Sequence, residues 1–177
     1  TKIGMGWPER FDGIEWIKLI ISWDSNAQII LHGVSMGAAT VLMASGEELP
    51  ENVKVIIADC GYTSEWDEFK CEANALHIPW FPVLNAASVL SRLRDGYDFK
   101  QASALEKVKQ SRIPTLFIHG SDDELVPYSM LDKLYSAAAC EKECLTVNGA
   151  GHALSSSVEP ELYWNTVESF IEKYLEK

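Results

Sequence analysis

The most constraining feature of the sequence is the stretch of residues 29–40, where an apolar run leads into Gly-x-Ser-x-Gly and then into small and apolar residues. The run before the motif is typical of a buried strand, and the spacing after it is typical of a helix. Because the turn is abrupt, it leaves little room for side chains. Gly33 and Gly37 are therefore expected to form it, with Ser35 at its apex. The stretch predicts a strand–turn–helix unit that projects a serine hydroxyl from the end of a sheet.

This unit admits two interpretations. A serine held in such a turn lies beside a helix N-terminus, whose backbone N–H groups point toward any anion that forms on a bound molecule. The plainer alternative is a glycine-bounded turn in an ordinary parallel sheet. The strand before the motif and the small-residue helix after it favour the first interpretation.

Strands and helices alternate along the rest of the chain. Four strands are predicted at residues 28–31, 53–58, 114–118 and 143–147. Helices are predicted at residues 12–23, with Asp12 as N-cap, and at 36–48, 128–139 and 160–175. This alternation predicts an α/β fold, a parallel sheet flanked by helices and joined by right-handed crossovers. Residues 1–177 are expected to form a single domain.

The net charge of the whole chain disfavours some classes of partner. A formal net charge of −11 argues against nucleic acid and against an anionic membrane surface. No apolar run reaches the length of a membrane span. The four cysteines are expected to be reduced, which favours the cytoplasm, although a membrane-anchored or exported parent protein stays open. Cys140 and Cys144 lack zinc-site spacing, and neither a metal nor an organic cofactor is expected.

One segment interrupts the alternation. Residues 64–110 separate the second and third predicted strands by more than a simple crossover needs, and we refer to them as the cap segment. Its aromatic residues include Trp66, Trp80 and Phe81. They are expected either to line a substrate pocket in a small helical cap or to pack on the core, and the sequence favours neither.

A serine nucleophile needs a base, and the base needs an orienting acid. The third predicted strand is followed by three acid candidates, Asp122, Asp123 and Glu124, and the second ends at a fourth, Asp59. The fourth strand is followed by a glycine-rich loop that contains His152. The three other histidines are not expected to act as the base: His32 and His119 belong to strands, and His77 has no assignable role.

His119-Gly120-x-x-Asp123-x-x-Val126-Pro127, followed by Gly151-His152, resembles the acid and histidine motifs of α/β-hydrolases. Together with the serine motif, the match covers most of the chain and is most similar to the S33 aminopeptidase and Bem46-like group. The resemblance implies a triad of Ser35 as nucleophile, Asp123 as orienting acid and His152 as base, with Asp122 as a turn residue. It also implies that the backbone N–H of Met36 contributes to an oxyanion hole.

The chain departs from that family in one respect. The α/β-hydrolase fold carries several strands before the serine motif, and one of its early loops donates a second oxyanion N–H. This sequence has a single helix there, so on the order of a hundred residues are expected to be missing. The chain is expected to be the C-terminal part of a longer hydrolase, with residues 28–31 as an edge strand. Through that edge it would self-associate or bind a separate N-terminal portion.

The sequence therefore predicts a serine hydrolase that cleaves a carboxylic ester of a small acyl substrate through an acyl-enzyme. An amide or peptide hydrolase resembling aminopeptidases is the nearest alternative. A non-catalytic module on a hydrolase scaffold is an alternative from a different class.

Overall fold

The fold is described by a computed structural model that covers residues 3–175. Within these residues, four parallel strands form one sheet in the order β1-β2-β3-β4. Their bounds are β1 Ile29–Val34, β2 Val53–Asp59, β3 Thr115–Gly120 and β4 Lys142–Val147. The helices are α1 Glu9–Trp23, α2 Met36–Ala44, α3 Glu65–Ala75, α4 Trp80–Asp95, α5 Ala104–Val108, α6 Ser129–Ala137, α7 Ser155–Val158 and α8 Pro160–Glu172. The predicted α/β fold is confirmed.

The inner strands are buried on both faces, as β-branched strands of parallel sheets usually are. In β2, Ile56 and Ala58 face a core shared with α2, α5 and α6, whereas Val55 and Ile57 face a core shared with α8. Because successive side chains of a strand point to opposite faces, one apolar run supplies both cores. The sheet is thereby fixed between two layers of helices.

The strand register brings the functional loops to one edge of the sheet. Val34 is paired with Asp59, Asp59 with Ile118, and Gly120 with Val147, so the carboxyl ends of the four strands lie level. Residues that follow directly after these ends, among them Ser35, are therefore brought close together although the sequence separates them widely.

Three predicted helix boundaries are wrong by three residues or more, and one of them is the end of α8, which lies at Glu172 rather than at residue 175. Helix α1 begins at Glu9 after Pro8, not at an Asp12 N-cap, because the Glu9 carboxylate turns back to accept hydrogen bonds from the Gly4 and Gly6 N–H groups. Helix α2 ends at Ala44 rather than near residue 48. The Ser45 hydroxyl donates to the Leu42 carbonyl oxygen, a local bond that competes with continuation of the helix.

Strand β1 lies at the edge of the sheet within the described residues, with β2 as its neighbour, and it runs over residues 29–34 rather than the predicted 28–31 because its pairing with β2 continues to Val34. Its side chains Ile30 and Val34 are exposed. Helix α1 covers one face of the sheet beside this edge, because Ile17 packs against Ile29 of β1 and Val53 of β2.

The cap segment is mostly helical, and its first residue is held to one near its end by a backbone bridge. Ser64 and Ser103 form an antiparallel bridge, and each is the N-cap of the helix that follows it, α3 and α5. Between the two bridged serines, α3 packs against α4. After the second serine, Ala104 and Val108 of α5 belong to the main core. The last part of the segment thus serves as an ordinary crossover helix. Across residues 3–175, no helix combines the length and apolar character that a bilayer crossing needs.

Candidate active site

Ser35 lies in the strained turn that the sequence predicts. Its backbone has φ 54° and ψ −117°, a conformation that L-residues rarely adopt, and its N–H donates to the Asp59 carbonyl oxygen at 2.8 Å. A Cβ atom on Gly33 would come within 2.2 Å of the Gly37 carbonyl oxygen, so only glycine fits there. A Cβ on Gly37 would meet nothing within 4 Å, so the expectation that this glycine is also required by the turn is wrong.

His152 is carried to the serine by the loop that follows β4. At Gly120, a Cβ atom would come within 2.1 Å of the Ala150 carbonyl oxygen, so this glycine lets the loop pack directly on the end of β3. The Gly149 N–H donates to the Ser121 hydroxyl at 2.8 Å and ties the same loop down. As a result, the Nε2 atom of His152 lies 2.8 Å from the Ser35 hydroxyl oxygen.

Asp123 completes the chain of hydrogen bonds from the other side of the imidazole. Its Oδ2 atom lies 2.8 Å from His152 Nδ1, and its Oδ1 atom accepts from the N–H groups of Leu125 at 3.0 Å and Val126 at 2.9 Å. A carboxylate can only accept, so His152 Nδ1 carries the proton and Nε2 is free to accept one from Ser35. This is the protonation state that a general base requires.

His119 contacts Asp123, which sequence reasoning did not predict. This fully buried histidine places Nε2 3.2 Å from Asp123 Oδ2 and 2.9 Å from the Val126 carbonyl oxygen. Burial would raise the pKa of Asp123, but hydrogen bonds from His119, His152 and the Val126 N–H outweigh it and hold that pKa below its usual value. The sequence feature that could have indicated this contact is the spacing, because His119 and Asp123 are four residues apart across the tight turn that follows β3.

The other acid candidates lie elsewhere. The buried Asp59 carboxylate accepts from the Ser155 hydroxyl at 3.3 Å, and burial raises its pKa. Its backbone oxygen, rather than its side chain, holds the serine turn. Asp122 accepts from the Ser121 hydroxyl at 2.6 Å within the turn, as predicted, and Glu124 is exposed.

Two other histidines lie apart from these hydrogen bonds. His32 is exposed on the edge strand, and its Nε2 atom lies 3.0 Å from the Tyr163 hydroxyl. His77 is exposed in the turn after α3.

Cys60 lies directly beside His152 and Asp123. The ligand atoms of Cys60, Asp123 and His152 all lie within 4.8 Å of one another, the one such group among the described residues. Burial, followed by the nearby Asp59 charge, raises the pKa of the Cys60 thiol to about 12. A protonated thiol is a poor metal ligand, and the two other groups already bond to each other, so this cluster does not fit a metal ion.

The aromatic residues of the cap segment form a cluster of their own. Trp66 and Trp80 meet edge to face, and Trp80 also meets the exposed Phe81. Trp80 lines an apolar cleft of about 250 Å³ between α3 and α4, together with Phe69, Ile78, Val83, Leu84 and Phe99, among others.

The cap segment also carries two unusual buried carboxyl groups, Glu65 and Glu68, in the first turn of α3. The Oε2 atom of each is buried without a hydrogen-bond partner in the described part of the chain. Burial is the main cause that raises the pKa of each to about 8, and nearby carboxylates add to it, Glu9 at Glu65 and Glu72 at Glu68. Both groups are therefore largely protonated at neutral pH.

The sheet, the strained serine and the loops at the strand ends define the class of protein. Solved structures with this fold include an esterase of Pyrococcus furiosus, Pf2001, with a TM-score of 0.71 at 20% identity over 98% of this chain and 65% of that one. An acylaminoacyl peptidase of Pyrococcus horikoshii has a TM-score of 0.72 at 16% identity over 95% of this chain and 28% of that one. The fold is that of the α/β-hydrolase superfamily, as predicted.

Within this superfamily, residues 10–177 match the model of the prolyl oligopeptidase family, and the chain belongs to that family. The uncharacterized protein YqkD of Bacillus subtilis (strain 168) is 28% identical over 169 residues, which are 94% of this chain and 55% of that protein. The chain thus spans about half the length of that relative.

Proposed function

We propose that the chain carries the catalytic triad of a serine hydrolase that cleaves a carboxylic ester through an acyl-enzyme. The observation that carries this proposal is the continuous series of hydrogen bonds from Ser35 through His152 to Asp123, with 2.8 Å at each of its two links to the imidazole. Acyl transfer needs three roles: a nucleophile, a base and an orienting acid. The three proposed side chains come from loops at the strand ends, and each contacts the next in that order.

In the proposed mechanism, the Ser35 oxygen attacks the acyl carbonyl carbon while His152 Nε2 takes the hydroxyl proton. The tetrahedral intermediate collapses, the leaving alkoxide receives that proton, and the acyl group remains on the serine. His152 Nε2 then takes a proton from a water molecule, which attacks the acyl-enzyme and releases the carboxylic acid product from Ser35. Asp123 keeps the imidazole in the required tautomer and stabilises its charged form, and its lowered pKa keeps it ionised.

We assign the oxyanion that forms in this step to the N-terminus of α2. Met36 is the first residue of that helix, and the N–H groups of a first helical turn have no partner within their own helix. Its backbone N–H is the proposed donor. Trp66, Trp80 and Phe81 are proposed to contact the acyl group, and the apolar cleft beside Trp80 supports this role for that residue.

An amide or peptide substrate is the second candidate, favoured by the match to the prolyl oligopeptidase family. The two candidates separate when kcat/KM is measured for an ester and an anilide of the same acyl group. Because an ester is intrinsically more reactive than an anilide, each kcat/KM is divided by the rate constant for uncatalysed hydrolysis of the same compound. A larger ratio for the ester supports the proposal, and a larger ratio for the anilide supports the second candidate.

The triad itself is tested with Ser35→Ala and His152→Ala, each of which should lower turnover of p-nitrophenyl acetate by about 10⁴-fold or more. Turnover that is equal in these variants and the unaltered chain would mean that the protein is a non-catalytic module. Circular dichroism melting of each variant provides the control for folding.

We further propose that the chain self-associates through residues 28–31. The support is that residues 29–31 of β1 are apolar and uncharged and lie at the edge of the sheet, and apolar edges that carry no charge readily pair with another chain. Sedimentation velocity measurements would detect the association, and Ile30→Lys on the exposed side of β1 should abolish it.

A further inference from the structure

Helix α4 is attached to the protein along one stripe. Leu84, Ser88 and Ser91 are buried, at the spacing expected for one face of a helix. The Ser88 hydroxyl accepts from the Phe99 N–H at 3.1 Å, and the Ser91 hydroxyl donates to the Tyr97 carbonyl oxygen at 2.9 Å. These contacts fix which face of α4 points away from the protein.

The opposite stripe of α4 is apolar and exposed. It consists of Pro82, Ala86, Val89, Leu90 and Leu93, which line a shallow groove together with Asn85, and we refer to it as the outer face. Leu90 is 61% exposed and Leu93 is 81% exposed. Single exposed apolar residues are common on protein surfaces, but a contiguous stripe along a helix usually marks a surface that binds something.

The charges around the outer face indicate which kind of partner it fits. Helix α4 carries two exposed arginines, Arg92 and Arg94, although the whole chain has a net charge of −11. Its one acidic residue, Asp95, comes four residues after the buried Ser91 and so falls on the attached side of the helix, not on the outer face. Lys70 lies over the ring of Trp80, the first residue of α4, at 4.8 Å, and Lys100 lies over the ring of Trp66 at 4.4 Å. An apolar stripe flanked by arginine, lysine and tryptophan is typical of helices that lie in a lipid–water interface.

A second exposed apolar surface, on α1, differs in this respect. Trp16 is 62% exposed and Trp23 is 73% exposed, so α1 offers side chains of at least equal size. The groove beside Trp16 is lined by Asp12 and Glu15. Anionic headgroups would be repelled there, whereas they would be attracted by the arginines of α4.

We infer that α4 docks on an anionic lipid surface, with the outer face in contact with acyl chains and Arg92 and Arg94 at the phosphate headgroups. The exposure of the outer face supplies the apolar contact, and the local positive charge supplies selectivity for anionic lipid. Docking would be peripheral and reversible, because a single amphipathic stripe buries far less apolar surface than a spanning helix. The inference does not depend on the proposed hydrolase activity.

The inference is tested by co-sedimentation of the chain with phosphatidylcholine vesicles that either contain or lack phosphatidylserine. The unaltered chain should bind the vesicles that contain phosphatidylserine. The double variant Leu90→Asp/Leu93→Asp should bind them at least about tenfold more weakly, because two large apolar side chains leave the contact. The matched control Trp16→Ser/Trp23→Ser, which removes the exposed α1 tryptophans, should bind like the unaltered chain.

A second variant tests the charge and leaves the apolar stripe intact. Arg92→Gln/Arg94→Gln should weaken binding to vesicles that contain phosphatidylserine by about tenfold, with little change on phosphatidylcholine alone. This variant keeps the inference testable if the aspartate variant does not fold. Equal binding by the unaltered chain and both α4 variants, or an equal loss in the α1 control, would overturn the inference. A dimer in sedimentation velocity that Leu90→Asp/Leu93→Asp converts to monomer would also overturn it, because the outer face would then be a protein interface.

Discussion

Replacing Asp123 by asparagine tests the assignment of the acid. The Oδ1 position accepts hydrogen bonds from the Leu125 and Val126 N–H groups, so the side-chain carbonyl oxygen of the introduced asparagine must occupy it. The amide NH₂ group then faces His152 Nδ1 at the position where Oδ2 now lies 2.8 Å away. Because an NH₂ group can only donate there, Nδ1 must accept, and the ring proton moves to Nε2. That nitrogen can then no longer take the proton of Ser35.

The expected cost follows from this change of tautomer. Turnover should fall by about 10⁴-fold, as a wrong tautomer does in another triad, which corresponds to about 5.4 kcal/mol in the activation barrier. KM should change little, because the acid lies behind the imidazole and away from the substrate. Asp123→Asn should also lower the melting temperature, because His119 loses its carboxylate acceptor as well.

Asp59→Asn is the matched control, since Asp59 is the other buried aspartate at the strand ends. Its carboxylate accepts from Ser155, and its contact with the serine turn is made by the backbone, so turnover should fall by less than about tenfold. The assay is kcat and KM for p-nitrophenyl acetate, with circular dichroism melting of each variant. A crippling effect of Asp59→Asn together with a mild effect of Asp123→Asn would refute the assignment.

Three further predictions concern the serine turn, the buried acids and the cleft. Gly33→Ala should lower the free energy of unfolding by about 3 kcal/mol, because its Cβ would overlap backbone, whereas Gly37→Ala should be nearly neutral; equal losses in chemical denaturation would contradict this. Glu65→Gln/Glu68→Gln should raise the melting temperature more at pH 8 than at pH 5. Both carboxyls have a folded-state pKa of about 8 against an ordinary 4.5, so the unaltered chain loses stability as pH rises through that window; a gain independent of pH would contradict this. Trp80→Ala should change the preference between short and long p-nitrophenyl acyl esters more than it changes the melting temperature, and the reverse result would place Trp80 in the core.

The parts of the fold that the sequence predicts correctly are those that local patterns determine. Short runs rich in β-branched residues, such as Val53–Asp59, favour buried strands over helices, and the loops directly after parallel strands meet at one edge of their sheet. The relative order of Ser35, Asp123 and His152 then suffices to predict that the three side chains are brought together.

What the sequence leaves open depends on contacts between distant residues. The difference between Gly33 and Gly37 is set by where the first turn of α2 passes, and the motif treats the two glycines alike. The start of α1 depends on the Glu9 side chain reaching back to Gly4 and Gly6, which a search for polar N-caps does not detect. The contact of His119 with the acid depends on the shape of the turn after β3.

The central claim, that Ser35 is an activated nucleophile, is tested most directly with a fluorophosphonate probe. The hydroxyl is 2.8 Å from His152 Nε2, so the probe should label the chain at one site, and peptide mass spectrometry should locate the label on Ser35. Ser35→Ala should not be labelled, and His152→Ala should be labelled at least about a hundredfold more slowly. Labelling of Ser35 at the same rate in the unaltered chain and in His152→Ala, or no labelling of the folded chain, would contradict the account.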